Sequence, residues 1–347
     1  MAAMSAAPIH RGMTFGFWAR AGYYASPAAA EAVARMADSG IDHVCLIVTV
    51  NSDTAFSLRQ YRDFVNTPSD LEIARIIERI HAKGMQVQLR PMLECLDGLQ
   101  RCHINFPDDG LIIPNRPFTY WQQWFDSFRE RSVYYARLAR ETGCAVYGLD
   151  SELDKTARHN AHWQQVVAAV RSEYKGHLTA SFTEGCPIDR LLEQPGCWFR
   201  ELDSLGLSMY HPLGTADEDL ASLSIEALAG RVAHLVERDR KRAELLGKPV
   251  YFGEIGCCAT RNATAKPYFW NHPGGYDGNE QARYFEALMT AYWQQPWWMG
   301  AYWWKWDEQN DRPQFRDDPR GDKGFTVWGK PALASMKHWY GRPERRA

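Results

Sequence analysis

Along the chain, short runs of apolar, β-branched or aromatic residues alternate with amphipathic stretches of helical period, the mark of repeated βα units around a parallel sheet. The first run, Met13 to Trp18, predicts a strand. Ser26-Pro27 then opens a helix, with serine as the cap and proline at the first helical position, and Gly40 closes it. His43 to Val50 is almost unbroken in its apolar character, as a parallel strand covered on both faces should be. A helix from Thr67-Pro68, a strand from Met85 to Leu93, a loop carrying Pro107, Gly110 and Pro114, and a long helix from about Tyr120 to Glu141 follow. Further strands are expected at Val146 to Glu152, Leu178 to Phe182, Ser204 to Tyr210, Val250 to Gly256 and Met299 to Trp306. Helices are expected at Asn160 to Tyr174, weakly at Ile188 to Leu202, then at Ser224 to Leu246, Asn279 to Gln295 and Lys330 to Tyr340.

This order predicts an α/β fold, a single (β/α)8 TIM barrel over residues 13–345, with residues 1–12 as a disordered extension. No linker rich in Pro, Ser or Gly divides the series. The turn-rich stretch Asp307 to Lys323 reads as the loop after the last strand.

Composition narrows the function. A formal charge of −2 supplies no basic field for a polyphosphate, so nucleic acid is not an expected partner. No stretch approaches the length of a membrane span, and the N-terminus lacks the basic and apolar regions of a signal peptide. A cytoplasmic protein is expected, or a secreted one if a leader has been removed. The eight cysteines show no Cys-x-x-Cys or His-paired spacing, so neither a metal nor another cofactor is expected. Free thiols are the expectation, with Cys95–Cys102 and Cys186–Cys197 as the candidate bridges in an oxidising setting. The 14 Trp, 16 Tyr and 15 Phe exceed what a core of this size requires. Flat rings that cover the C–H face of a pyranose point to an oligo- or polysaccharide substrate. Nothing in the sequence sets the oligomeric state.

Barrel active sites gather at the carboxyl ends of the strands, and two acids stand there. Glu152 ends the fourth strand and Glu254 the seventh. Strict alternation puts Glu152 on the face of Asp150, and Glu254 on the face of Phe252 and Val250. Glycoside hydrolysis needs one carboxyl group to protonate the leaving oxygen and one carboxylate to attack or to activate water, so this pair is the candidate machinery.

The order of features resembles the clan of retaining glycoside hydrolases with an acid/base after strand four and a nucleophile after strand seven, and most closely its family 113 of β-mannanases. The resemblance is carried by Met13-Thr14-Phe15-Gly16-Phe17-Trp18, Thr67-Pro68-Ser69-Asp70, Leu89-Arg90-Pro91, Asp203 to Tyr210, Lys248-Pro249-Val250 leading to Gly253-Glu254-Ile255-Gly256, Gly300 to Trp306, and Gly329-Lys330-Pro331-Ala332. It implies Glu152 as acid/base, Glu254 as nucleophile, Tyr210 as a hydrogen-bond partner of the nucleophile, and Trp304 and Trp306 as the floor of the sugar subsite. It also implies a β-mannan or manno-oligosaccharide as substrate. One departure is visible: many members of the clan carry Asn before the acid/base, where its amide contacts the sugar 2-hydroxyl, and here that residue is Ser151. Trp18, Arg90, Asp150, His211 and Trp270 complete the expected substrate contacts, with alternatives open: Arg90 binds a sugar hydroxyl or Asp150, Asp150 assists or is held by a neighbouring Arg, His211 contacts substrate or is structural, and one of Trp304 and Trp306 packs in the core. The ring-rich segment Arg261 to Asp277 is expected to wall a subsite or to pack on itself. Two other readings stay open: the same mechanism on a β-glucoside, β-galactoside or bacterial exopolysaccharide, and a carbohydrate-binding barrel without catalysis.

Overall fold

Eight parallel strands close on one another in sequence order, β1 pairing with both β2 and β8. The computed structural model describes residues 6–107, 119–308 and 318–343. Gly110 and Pro114 of the expected loop, and most of the stretch from Asp307 to Lys323, lie outside the described residues.

The strands are β1 (His10–Phe15), β2 (His43–Ser52), β3 (Gln86–Cys95), β4 (Val146–Ser151), β5 (His177–Phe182), β6 (Ser204–Met209), β7 (Val250–Ile255) and β8 (Trp298–Trp306). The helices are α1 (Pro27–Ala37), α2 (Asp70–Ala82), α3 (Tyr120–Glu141), α4 (Asn160–Glu173), α5 (Ile188–Leu192), α6 (Ile225–Arg231), α7 (Ala233–Leu246), α8 (Gly278–Tyr292) and α9 (Pro331–Tyr340). Local chemistry sets several of their ends. Ser26 caps α1, accepting from the amide of Ala29 at 3.2 Å ahead of Pro27. Ser69 and Glu72 form a reciprocal capping box at α2, so that helix starts at Asp70, beyond the Thr67-Pro68 expected from sequence.

Other boundaries differ as well. β1 opens at His10 and ends at Phe15, so residues from Ile9 onward belong to the barrel and not to a disordered extension: Ile9 is buried, and Ala7 donates its amide to Pro296 at 2.9 Å. Phe17 and Trp18 then fall in the loop beyond Gly16, whose φ of +83° leaves the strand conformation. The expected single helix from Ser224 to Leu246 is broken at Val232 into α6 and α7. The weak fifth helix is reduced to α5 and a 3-10 turn at Trp198–Glu201.

Two apolar layers form. The larger lies between strands and helices and includes Trp121, Trp124, Trp163, Trp198, Trp303 and Trp306. The smaller fills the barrel itself with Cys45, Ile47, Met92, Tyr251, Met299, Tyr302 and Trp304. Most of the chain's tryptophan therefore serves the core. All eight cysteines are free thiols.

Candidate active site

At the carboxyl ends of β4 and β7 the alternation of side chains is interrupted, and this interruption forms the site. On β4, Tyr147 points outward, its hydroxyl donating to the carbonyl of Ser132 on α3 at 2.9 Å. Gly148 faces inward, where an added Cβ would lie 2.9 Å from Gln88 Nε2. Regular alternation would then bring Asp150 inward. The register between β4 and β5 shifts between Gly148 and Ser151, and it is Ser151 that turns into the barrel.

Asp150 turns away from any sugar. Its Oδ2 takes a 2.6 Å ion pair from Arg131 of α3, and its Oδ1 accepts from the amides of Ser151 at 2.7 Å and Leu93 at 3.4 Å. The expectation of an inward face and a substrate contact is thus corrected, and the alternative of a neighbouring Arg holding Asp150 is what the structure shows.

Glu152 follows in the left-handed region at φ +61°. This conformation costs a non-glycine residue on the order of 1 kcal/mol. Its amide is held by the carbonyl of Ser181 at 2.9 Å. Two residues on, Asp154 accepts from the amide of Thr183 at 3.0 Å and from its hydroxyl, which ties the β4 loop to the β5 loop. Burial pushes the Asp154 carboxyl up to about 6 in spite of those two bonds from Thr183.

β7 repeats the device. Tyr251 points inward, within 3.2 Å of the Thr179 hydroxyl, and Phe252 points outward against Tyr292 and Trp298. Between Phe252 and Glu254 the register with β6 slips by one residue. Gly253 occupies the bulge, where an added Cβ would stand 2.0 Å from Ser181 Oγ. Glu254 therefore enters the barrel on the face opposite to that of Phe252, and the sequence expectation of a shared face is corrected.

Within the barrel Glu254 is 3% exposed and takes three donors. The Ser151 hydroxyl donates to Oε1 at 2.7 Å, the Tyr210 hydroxyl donates to Oε2 at 3.2 Å, and Arg90 Nη1 lies 3.5 Å from Oε1. Burial and the negative charge of Glu152 push its carboxyl up to about 7, against the pull of Arg90, Arg101 and Ser151. Burial, with the charges of Glu254 and Glu152, drives Tyr210 well above the usual phenol range, so it stays a neutral donor.

The remaining expected contacts divide. Arg90 is fully buried and also binds the carbonyl of Gly253 at 3.1 Å, so it acts on Glu254 from below and does not reach a sugar. Trp304 faces into the barrel and packs edge-on against Phe17, with ring centroids 4.8 Å apart. Trp306, by contrast, packs behind the strand against Trp328 at 5.7 Å and is fully buried, so it is a core residue and not part of a subsite floor. The imidazole of His211 turns to Glu184 at 3.5 Å. Trp18 is 52% exposed beside Phe17, and Trp270 is 68% exposed on the loop after β7. That loop is stapled to itself by the Thr260–Tyr276 bridge and by a 3.0 Å bond from Thr260 to His272.

Sequence reading missed Arg101, Glu94 and Phe17. β3 runs two residues past the expected Leu93, which makes Glu94 a strand-end acid. Arg101 sits in a 3-10 turn beyond it, with Nη1 3.3 Å from Glu152 Oε2. No periodic signal marks such a loop residue. Among the described residues, no group of three or more His, Cys, Asp or Glu is arranged to hold a metal ion.

The family model of Glycoside Hydrolase Family 113 matches residues 13–330. The solved structure of the family 113 β-mannanase AaManA from Alicyclobacillus acidocaldarius, in complex with ManMIm, is 28% identical, with a TM-score of 0.83 over 96% of this chain and 97% of that one. A complex structure of a family 113 β-1,4-mannanase is 25% identical, with a TM-score of 0.79 over 96% of this chain and 100% of that one. A family 5 mannosidase from Rhizomucor miehei shares the fold at 12% identity, with a TM-score of 0.61 over 96% of this chain and 93% of that one. No curated protein matches the chain significantly.

Proposed function

The chain belongs to glycoside hydrolase family 113, and on that premise we propose that it hydrolyses β-1,4-mannan or manno-oligosaccharides with retention, Glu254 acting as nucleophile and Glu152 as acid/base. The observation that carries this reading is the environment of Glu254: a buried carboxylate gripped by Ser151, Tyr210 and Arg90, with the charge of Glu152 close enough to act on it.

Three donors hold the Glu254 carboxyl in place as the nucleophile, and the more exposed Glu152 is left to face the leaving group. In the first step a Glu254 oxygen bonds the anomeric carbon while the glycosidic C–O bond breaks, and the Glu152 proton passes to the leaving oxygen. In the second, Glu152 takes a proton from water as the water oxygen attacks that carbon and the ester to Glu254 breaks. In this reading Trp304, which faces into the barrel near the end of β8, is assigned the apolar face of the sugar ring.

An activated 2-deoxy-2-fluoro-β-mannoside tests the assignment. Peptide mass mapping is expected to find one glycosyl group on Glu254, and Glu254→Gln is expected to lose both labelling and turnover of manno-oligosaccharides. Full turnover in Glu254→Gln, or a label on another residue, would overturn it. A panel of β-mannan, β-glucan and β-galactan substrates reads the sugar.

A further inference from the structure

Arg101 is anchored from three sides by groups of the β3 and β4 ends. Its Nε donates to the carbonyl of Leu93 at 2.7 Å, its Nη2 pairs with Glu94, and its Nη1 lies 3.3 Å from Glu152 Oε2. Only 8% of the residue is exposed, and the guanidinium lies 5.7 Å from the centre of the Phe17 ring. A cation held this firmly has little freedom to follow a substrate.

We infer that Arg101 is the positioning residue and counter-ion of Glu152, carrying the charge that appears on Glu152 once its proton has gone to the leaving oxygen, with Glu94 setting how much of the guanidinium Glu152 receives. The inference rests on the reading of Glu152 as acid/base. Glu152 must give up a proton in one step and regain one in the next, so a fixed cation favours the ionised state that activates water. Burial pulls Arg101 down, and the carboxylates of Glu94, Glu152, Asp150 and Glu254 outweigh it, so its guanidinium stays charged throughout.

Other titratable groups among the described residues also act on Glu152. Asp154 and Cys102 face it from the neighbouring loops, Tyr210 and Glu254 from β6 and β7, and the charge of Asp150 is matched by Arg131.

The test is the pH dependence of kcat/KM on an unactivated manno-oligosaccharide, whose alkaline limb reports loss of the acid form of the free enzyme. Arg101→Gln removes the cation and makes Glu152 harder to ionise, so the alkaline limb is expected to move up by about one pH unit. Glu94→Gln releases Arg101 to Glu152 and removes a like charge, so the limb is expected to move down. Arg101→Lys keeps the charge and is expected to leave the limb in place with a lower kcat. Opposite shifts in the Gln variants establish the role. A uniform fall in rate with an unmoved limb, or shifts of the same sign, would overturn it. If Arg101→Gln does not fold, the downward shift in Glu94→Gln decides alone. Glu152→Gln, assayed in parallel, separates the two readings: should it keep full turnover of the unactivated substrate, Glu152 is not the acid/base, whatever the limbs do.

Discussion

The hydroxyl of Ser151 donates to Oε1 of Glu254 at 2.7 Å, across the barrel from the residue that immediately precedes Glu152. One backbone segment thus supplies both the candidate acid/base and a donor to the candidate nucleophile. Ser151→Ala deletes that donor without filling space. A hydrogen bond to a charged acceptor is worth about 1.5–3 kcal/mol, so kcat/KM is expected to fall roughly 10- to 100-fold. Because the lost bond favoured the ionised form, Glu254 rises further above its present value of about 7 and the acid limb of the pH–rate profile moves upward. A profile that keeps its acid limb in Ser151→Ala would show that the hydroxyl does not act on the nucleophile.

The bulge at Gly253 is open to a steric test. An added Cβ there would stand 2.0 Å from Ser181 Oγ, so Gly253→Ala is expected to cost about 1–3 kcal/mol and to displace Glu254. Ser181→Gly in the same chain removes the colliding atoms and should restore part of both stability and activity. Urea unfolding of the single and double variants measures the coupling. Strict additivity would show that the clash is elsewhere.

Trp304 and Trp306 are two residues apart and have different tasks. Trp304→Ala is expected to raise KM for manno-oligosaccharides and lower kcat, beside a loss of stability from the barrel cluster it helps to fill. Trp306→Ala empties a fully buried site and is expected to cost about 3–5 kcal/mol of stability. Thermal unfolding beside steady-state kinetics distinguishes them; equal effects on KM from both would return Trp306 to the subsite.

At the opposite end of the barrel, His10 stacks on His43 with ring centroids 3.8 Å apart, and its Nδ1 bonds the Tyr302 hydroxyl at 3.0 Å. Burial first, then His43 and His177, hold His10 well below the ordinary value of 6.5, while Asp42 pulls it up. The unfolded chain therefore takes a proton there that the folded chain refuses. Stability is present above about pH 6.5 and is lost as pH falls, by up to about 1.4 kcal/mol per unit from this one group. Urea midpoints between pH 7.5 and 5.5, taken as about one unit either side of that value, should fall more steeply for the wild type than for His10→Asn. Identical slopes would exclude His10 as the source.

The order of elements and the placing of Glu152 and Glu254 at strand ends were legible in the chain, because apolar runs and caps are written locally. Ser26 before Pro27 announces α1 by itself. Asp150, Arg90 and Trp306 were left between a sugar contact and a structural role for one common reason: facing was inferred from strict alternation or from position at a strand end. Whether a side chain at such an end meets sugar, helix or barrel centre depends on what stands opposite.

By itself, then, the sequence determined a ring of βα units with two glutamates at its mouth. Tertiary structure alone decided that Ser151 and Glu254 meet inside the barrel, since each arrives through a register slip, between Gly148 and Ser151 on β4 and at Gly253 on β7. It also decided that Arg101, from a loop without period, stands beside Glu152. The physical reason is that hydrophobic periodicity is a property of one segment, whereas a bulge is fixed by the pairing of two strands and a loop cation by the charges it meets.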